Sequence, residues 1–317
     1  MPLMRSSWRA AVLSLCLIAA PAVAREISFS FDDAPRSDGQ HFTGVQRTEA
    51  LIQALESGGV PGAIFFATSR QIDEPGDARL KRYAEAGHYI ANHSHSHAAP
   101  DAQNLQPYLD DIDEADRRLR DYDGFLALYR FPFLNEGRDP DTRDAIRAHL
   151  VATGYGQGYV TVDNYDWYME ALFQRALAAG REVDYERLGE LYVELLVAAV
   201  DFYDGIAVEH LGRSPRHVLL LHENDLAALF VDDLARALKA DGWTLVSGPA
   251  AYEDPIADIE PDTVFLGQGR VAAMAEVTGV PRPSLVHEAE DEAWLEARFE
   301  AEGVFGPARA SSSGGVE

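Results

Sequence analysis

Apolar positions along the chain follow two alternating periods, and the two periods predict alternating strands and helices. Residues 27–31 and 63–67 are short runs rich in β-branched and aromatic side chains, which is the composition of buried strands. Between them, residues 43–57 carry apolar side chains at helical spacing and end before two glycines, so a helix is predicted there. The same criteria predict further strands at 88–91, 125–130, 158–162, 217–221 and 243–246, and further helices at 77–86, 105–120, 139–149, 167–180, 185–211 and 226–239.

Repeated strand–helix units indicate an α/β protein with a parallel sheet. About seven strands fall within residues 26–246, and that number and length suit a distorted, nearly closed (β/α) barrel. Helices 167–180 and 185–211 interrupt the alternation as a helical insertion, and we interpret the apolar stripe of the second as core. Residues 249–317 are too few for a typical second domain, so we expect them to form a C-terminal extension packed on the barrel.

The N-terminus has the pattern of a secretory signal peptide. Arg5 and Arg9 precede an apolar run at residues 10–20 that is too short to span a bilayer. Residues 22–24 read Ala-Val-Ala, a signal-peptidase motif, so we expect cleavage after Ala24. The protein is then secreted or periplasmic, of bacterial type, without stable membrane insertion. An uncleaved membrane anchor is the alternative.

Composition limits the partners and the chemistry. The formal net charge of −25 disfavours nucleic acid and anionic lipid as partners. Cys16, the one cysteine of the chain, falls inside the predicted signal peptide. The mature chain would then have no disulfide, cysteine nucleophile or thiolate ligand. Any metal must be held by histidine, aspartate or glutamate.

Two carboxylates and two histidines follow predicted strands and suggest a metal site. Asp32 and Asp33 follow the first strand, and His93 and His97 follow the third. Four residues apart, the two histidines would face the same way on a helical turn and could share a metal with Asp33. Neighbouring residues on an extended segment point apart, which leaves Asp32 to face a water, with Arg130 as a countercharge. Nitrogen and oxygen ligands without sulfur suit zinc and, less exclusively, other first-row divalent ions. This is the arrangement of a metal-assisted hydrolase.

Polar residues follow most of the other predicted strands too. Because the carboxyl ends of parallel strands meet at one mouth of a barrel, we expect these side chains to converge. The converging residues are Asp32, Asp33, His93, Arg130, Asp163, Asp166 and His222.

Residues 267–272 match a G-x-G-x-x-A pattern, but too few residues follow for the βαβ unit that a dinucleotide site needs.

Five short motifs resemble those of the polysaccharide deacetylase family, also called the NodB homology domain or carbohydrate esterase family 4. They occur in the family's order within about residues 26–246. Ala34 stands where the family has glycine, and a long helical segment at 168–216 separates the last two motifs. The motifs are 30–35 (T-F-D-D-G-P in the family), 93–97 (H-[ST]-x-x-H), 130–133 (R-x-P-[YF]), 163–167 (D-x-x-D-W) and 219–222 (similar to L-x-L-x-H).

The resemblance implies an activity and a metal. It implies a distorted (β/α) barrel that removes N- or O-acetyl groups from an acetylated sugar or polysaccharide, with metal-bound water as the nucleophile. It places one divalent metal ion per chain, zinc first, on Asp33, His93 and His97. On the substrate side it implies Trp167 as a wall of the acetyl pocket and the backbone N–H of Phe133 as an oxyanion donor.

The resemblance also implies the acid and the base. Asp32 would take a proton from the water, and Arg130 would orient it. His222 would protonate the leaving amine or alkoxide, and Asp166 would hold His222. A base beside charge neighbours, with an acid on the opposite side of the site, also agrees with general acid–base chemistry.

Three domains and two alternatives complete the prediction. Residues 1–24 are the signal peptide, 25–248 the catalytic domain and 249–317 the extension. One alternative is a hydrolase of non-sugar amides on the same fold. The other is a secreted carbohydrate-binding protein without turnover, which the loss of Asp32 or His222 would have favoured; both residues are present.

Overall fold

A curled parallel β-sheet forms the centre of the molecule. The computed structural model describes residues 25–308, so the predicted signal peptide and Cys16 lie outside the described residues. All ladders of this seven-stranded sheet are parallel, in the order β5-β4-β3-β2-β1-β7, with β8 also paired to β1; a separate antiparallel pair joins β6 to β9. The strands are β1 (Arg25–Ala34), β2 (Ile64–Ala67), β3 (Tyr89–Asn92), β4 (Phe125–Tyr129), β5 (Gly156–Gln157), β6 (Arg181–Val183), β7 (Arg216–His222), β8 (Trp243–Leu245) and β9 (Phe305–Ala308).

The helices surround this sheet and begin and end at recognisable signals. Thr43 caps α1 in a capping box with Gln46, and left-handed Gly59 ends it. The predicted α/β fold with a distorted barrel is therefore confirmed. The helices are α1 (Gly44–Gly58), α2 (Glu74–Glu85), α3 (Leu105–Leu119), α4 (Pro140–Thr153), α5 (Asp166–Ala178), α6 (Tyr185–Leu211), α7 (Asp225–Ala240), α8 (Gly248–Ala251), α9 (Arg270–Val277) and α10 (Glu292–Ala301).

The segment after β5 nearly closes the barrel, although it is not the continuous strand predicted for 158–162. The N–H of Gly158 donates to the last carbonyl of β4 at 2.7 Å. Further on, a parallel bridge joins Val162 to Leu219 of β7. Between these points the carbonyl of Val160 accepts from Arg270 N–H at 2.7 Å, so the extension takes the place of a sheet partner. The segment thus links both edges of the curled sheet.

The insertion and the extension share the core of the barrel. The predicted apolar stripe of α6 is buried, including Leu191, Leu196 and Tyr203. Extension side chains such as Val271 and Phe299 belong to the same apolar cluster as the inward side chains of β1. Within residues 25–308, no helix has the length and apolar character required to cross a membrane.

Candidate metal centre and active site

An irregularity at the end of β1 brings both of its carboxylates into the barrel mouth. The pairing of β1 with β2 shifts register between Phe31 and Ala34, and Asp33 adopts a left-handed φ of 67°. Ala34 is not among the left-handed residues of the described chain, so alanine fits where the family pattern has glycine. The prediction that the two carboxylates point apart is wrong. Asp32 Oδ2 and Asp33 Oδ1 both lie 3.6 Å from His93 Nε2, because a left-handed residue breaks the strand alternation.

His93 and His97 converge without the predicted helical turn. Ser94 and His97 have φ values of 72° and 60°, which exclude a helix over this segment. Side chains supply the missing hydrogen bonds: Asn92 Oδ1 accepts from Ser94 N–H, and Ser94 Oγ accepts from His97 N–H, each at 2.8 Å. The resulting loop still places His97 Nε2 3.2 Å from Asp33 Oδ1.

Asp111 of α3 fastens this histidine loop from outside. Its carboxylate accepts the backbone N–H groups of His95 at 2.7 Å and of Ser96 at 3.1 Å. His95 itself takes no part in the ligand cluster, and its Nδ1 lies 2.9 Å from Ser69 Oγ. Sequence reasoning missed Asp111, since one acidic residue on an amphipathic helix carries no signal of such a contact.

Asp33, His93 and His97 fit a divalent metal ion. One ligand atom from each lies within 4.8 Å of the others. His93 Nδ1 lies 2.9 Å from the carbonyl oxygen of Arg130, so Nδ1 carries the proton and Nε2 presents its lone pair to the site. Burial, together with the neighbouring His93, lowers the pKa of His97 and favours the neutral ligand form.

The lowered pKa of Asp33 also agrees with a role as a metal ligand. Burial alone would raise the pKa, but the positive charges of His222, His93, His97 and Arg36 outweigh it, and the pKa is lowered. Asp33 is therefore ionised at neutral pH. An anionic oxygen beside two imidazole nitrogens is a donor set that zinc accepts.

Arg130 holds Asp32 from behind the cavity. Arg130 is fully buried, and its Nη1 donates to Asp32 Oδ1 at 2.7 Å. Ser30 Oγ accepts from the same guanidinium at 3.1 Å, and Nη2 lies 3.1 Å from Tyr252 Oη. The aromatic face of Phe66 lies 3.9 Å from the guanidinium carbon. Tyr252 comes from the C-terminal extension and was missed, because its contact depends on the fold alone.

Asp166 holds His222 in a similar manner at the end of the neighbouring strand β7. His222 is the last residue of β7, and its Nδ1 lies 2.6 Å from Asp166 Oδ1. The backbone N–H of His222 and Asn224 Nδ2 both donate to Asp166 Oδ2, at 2.9 and 3.0 Å. Burial lowers the pKa of His222, but Asp166 outweighs burial and the pKa is raised above its ordinary value. His222 can therefore carry a proton at neutral pH.

These groups surround one cavity of about 510 Å³. Two aromatic side chains in its wall are exposed: Phe133 at 61% and Trp167 at 37%. The ring of Phe133 lies edge-on to His97, with centroids 4.6 Å apart. Predicted site residues in the wall are Asp32, Asp33, His93, His97, Phe133, Trp167 and His222, whereas Arg130 and Asp166 support it from behind.

Further wall residues were not assigned a role from the sequence. Arg36 and Asp163 line the cavity, as does Gly267 from the extension. Burial, followed by the negative charge of Glu290, raises the pKa of Asp163 well above its ordinary value. Glu290 also belongs to the extension, so residues beyond 248 shape the site electrically as well as sterically.

Three solved structures are similar to this chain at low sequence identity. A family 4 carbohydrate esterase from Streptomyces lividans, in complex with acetate, is 19% identical over 73% of this chain and 97% of its own, with a TM-score of 0.47. The polysaccharide deacetylase Bc1974 from Bacillus cereus is 18% identical over 70% of this chain and 91% of its own, with a TM-score of 0.49. The catalytic domain of a peptidoglycan N-acetylglucosamine deacetylase from Eubacterium rectale is 17% identical over 80% of this chain and 96% of its own, with a TM-score of 0.49. Likenesses this distant carry no argument about activity. No curated protein matches the chain significantly.

One family model matches the first part of the chain. The family model described as polysaccharide deacetylase matches residues 20–153, which contain the motifs at 30–35, 93–97 and 130–133. The motifs at 163–167 and 219–222 lie beyond the matched residues. The resemblance seen in the sequence is thereby confirmed: residues 20–153 of the chain match the polysaccharide deacetylase family.

Proposed function

We propose that this protein is a secreted, metal-dependent hydrolase that removes N- or O-acetyl groups from an acetylated saccharide. One observation carries the proposal: a metal-ligand set, a carboxylate held by a buried arginine and a histidine held by a buried aspartate meet at one cavity. Acyl transfer to water needs these three functions together.

The metal would be held by Asp33, His93 and His97. Neutral imidazoles and a carboxylate favour zinc, and other first-row ions accept the same donors. When bound, the ion supplies Lewis-acid chemistry, which polarises an acyl carbonyl and makes a water more acidic. The bond from His93 Nδ1 to the Arg130 carbonyl fixes the tautomer needed for this ligand.

Asp32 is proposed as the general base. Its Oδ1 is taken by Arg130 Nη1, whereas Oδ2 lies on the side of His93 Nε2. Oδ2 is therefore the oxygen placed to accept a proton from the attacking water. The charge-assisted hydrogen bond from Arg130 orients the carboxylate.

His222 is proposed as the general acid. Because Nδ1 is held by Asp166, Nε2 remains as the nitrogen that can meet the leaving amine or alkoxide. Asp166 also stabilises the imidazolium until its proton is transferred. The proposed base would thus activate the water, and the proposed acid would protonate the leaving group.

The aromatic side chains would bind the acetylated sugar. Trp167 would form a wall of the acetyl pocket, and the exposed ring of Phe133 would contact the sugar ring at the mouth. The backbone N–H of Phe133 would donate to the oxyanion as the carbonyl carbon becomes tetrahedral. The substrate is proposed to meet the protein outside the cytoplasm, after cleavage behind Ala24.

Acetate release tests the proposal. Purified protein is incubated with N- and O-acetylated saccharides, after treatment with a chelator and again after zinc is restored. We expect release that stops on chelation and returns with zinc, and that is at least about 100-fold slower in zinc-loaded Asp32→Asn. If zinc-loaded protein releases acetate from none of these saccharides, the proposed activity is wrong.

A further inference from the structure

The hydroxyl of Tyr252 links the guanidinium of Arg130 to the segment that nearly closes the barrel. Its Oη donates to the carbonyl oxygen of Tyr159 at 2.7 Å. A tyrosine hydroxyl has one proton, so its lone pairs are left to accept, and Arg130 Nη2 donates to it at 3.1 Å. The hydroxyl is therefore a bridge between a backbone carbonyl and the arginine that holds Asp32.

The other partners of the Arg130 guanidinium belong to the barrel. Nε donates to the carbonyl of Gly158, and Nη1 donates to Asp32 Oδ1 at 2.7 Å. Ser30 Oγ accepts from Nη1 and from Nη2, each at 3.1 Å. Every N–H of this guanidinium thus has a partner. Among the partners that residues 25–308 supply, Tyr252 is the one that comes from the C-terminal extension.

A guanidinium is planar and rigid, so the contacts of Nη2 also determine where Nη1 points. Without the Tyr252 hydroxyl, the freed N–H of Nη2 has the Tyr159 carbonyl 3.5 Å away, which is beyond the usual hydrogen-bond range. Arg130 is fully buried, so bulk water does not reach that N–H. Rotation of the plane toward the carbonyl would restore a bond to Nη2, but it would move Nη1 away from Asp32.

Tyr252 is itself held in place, directly after α8. Its ring lies edge-on to that of Tyr159, with centroids 4.8 Å apart. The same ring packs against the apolar cluster of Ile64, Phe66 and Ala91. Burial raises the pKa of the Tyr252 hydroxyl, so its proton is retained at neutral pH. The hydroxyl therefore has a fixed position and a fixed hydrogen-bond direction.

We propose that Tyr252 is a positioning residue for the general base: its hydroxyl fixes the plane of the Arg130 guanidinium and thereby orients the Asp32 carboxylate. This inference rests on the proposed deacetylase function and adds to it a requirement for the C-terminal extension. Tyr252 is not among the described residues that line the cavity, so it acts through Arg130 and not on the substrate.

Removal of single hydroxyls tests the inference. Tyr252→Phe keeps the ring and its packing and deletes only the bridge. Tyr122→Phe is the matched control, because it also loses one hydroxyl contact, from Tyr122 Oη to Asp77 Oδ1 at 2.6 Å, and neither of these residues lines the cavity. The kcat and KM of the zinc-loaded full chain are measured with the acetylated saccharide that the wild type hydrolyses fastest. Bound zinc and the temperature of unfolding are measured on the same preparations.

We expect Tyr252→Phe to lower kcat about 10- to 100-fold, in line with the cost of misplacing a reacting group by up to about 1 Å. KM and bound zinc should stay near the wild-type values, because the metal ligands and the cavity wall are unchanged. Tyr122→Phe should keep the wild-type kcat and differ from the wild type only in its temperature of unfolding.

A double-mutant cycle separates positioning of the base from a general loss of structure. In an Asp32→Asn background the base is already absent, so Tyr252→Phe should change the residual kcat less than about 2-fold. A defect that only loosens the fold would lower kcat by the same factor in both backgrounds. Crystal structures of the wild type and of Tyr252→Phe give a second readout without turnover. We expect the contact of Arg130 Nη1 with Asp32 Oδ1 to be lost in the variant.

Three results would overturn the inference. A wild-type kcat in Tyr252→Phe would do so while leaving the deacetylase function intact. An equal fall of kcat in the two backgrounds would assign the hydroxyl a structural role only. A crystal structure of Tyr252→Phe in which Arg130 keeps its contact with Asp32 would show that other contacts fix the guanidinium. Absence of acetate release from the wild type would contradict the proposed function alone, since the crystal structures still decide whether the hydroxyl orients Asp32.

Discussion

Asp166 holds His222 at two points: Oδ1 lies 2.6 Å from the ring Nδ1, and Oδ2 accepts the backbone N–H at 2.9 Å. The aspartate is fully buried at the start of α5, whereas the histidine ends β7. One carboxylate therefore sets both the position of the strand end and the orientation of the imidazole. This relationship separates the proton at Nδ1, which is retained, from the proton at Nε2, which can be transferred.

Asp166→Asn should lower kcat about 100-fold or more, because the imidazolium loses its stabilising charge and its orientation. The raised pKa of His222 keeps the acid protonated below that pKa, and activity is lost as the pH rises through it. In the variant this loss should begin at lower pH. The measurement is kcat against pH, with Asp141→Asn on the exposed start of α4 as the control. An unshifted basic limb would contradict the role of Asp166.

His93→Ala should remove most of the bound zinc, since one of three protein ligands is lost. Bound zinc is measured by atomic spectroscopy after dialysis. His95→Ala is the matched control: it removes a histidine from the same loop but not from the ligand cluster, and should keep its zinc. Equal zinc contents in the two variants would refute the ligand assignment.

Asp32→Asn should keep zinc and lower kcat about 100- to 10,000-fold, the usual contribution of a general base. An amide has nearly the shape of the carboxylate but cannot accept the proton from water. Zinc content and kcat are measured on the same preparation. A rate near that of the wild type would exclude Asp32 as the base.

Asp111→Asn should weaken zinc binding about 10- to 100-fold, as expected when a group that orients metal ligands is changed. The amide accepts less strongly from the N–H groups of His95 and Ser96, so the loop holding His97 loosens. Competition with a chelator gives the affinity. Asp110→Asn, on the adjacent exposed position of α3, is the control and should leave the affinity unchanged.

The free energy of unfolding should fall as the pH falls from 6.5 toward 4. Burial lowers the pKa of His88 to about 4, so the unfolded chain takes up a proton in this range and the folded chain does not. This pKa shift corresponds to a loss of about 3 kcal/mol in the free energy of unfolding between pH 6.5 and pH 4. Above pH 6.5 the contribution of His88 to stability is fully present. His88 Nδ1 accepts from Ala63 N–H at 3.2 Å, a contact that the amide oxygen of His88→Asn can copy. Urea unfolding at several pH values should show a shallower fall for His88→Asn; parallel curves would exclude His88 as the cause.

Helix α6 shows where sequence alone is sufficient. Its bounds, Tyr185–Leu211, agree with the predicted range 185–211. Asp184 caps the start, left-handed Gly212 ends the helix, and apolar side chains repeat at helical spacing between them. Each of these signals is local, so no knowledge of distant contacts is needed.

The histidine loop shows where local reasoning fails. A spacing of four residues agrees with a helical turn, but Asn92, Ser94 and Asp111 offer the backbone other hydrogen bonds. Asp111 lies on another element, and its contribution depends on how α3 packs. The prediction was therefore wrong about the conformation of the loop, although Asp33, His93 and His97 still lie with one ligand atom each within 4.8 Å of the others.

By itself the sequence determined the order of most strands and helices and the resemblance to the polysaccharide deacetylase family, and it predicted which groups would bind metal and move protons. These follow from local periodicity and from short motifs. The tertiary structure alone decided that both carboxylates of β1 face His93, that Tyr252 and Glu290 of the extension act on the site, and that Arg36 Nη1 is left without a hydrogen bond within residues 25–308. Such features depend on contacts between residues far apart in the chain, and on which donors remain after every other contact is made.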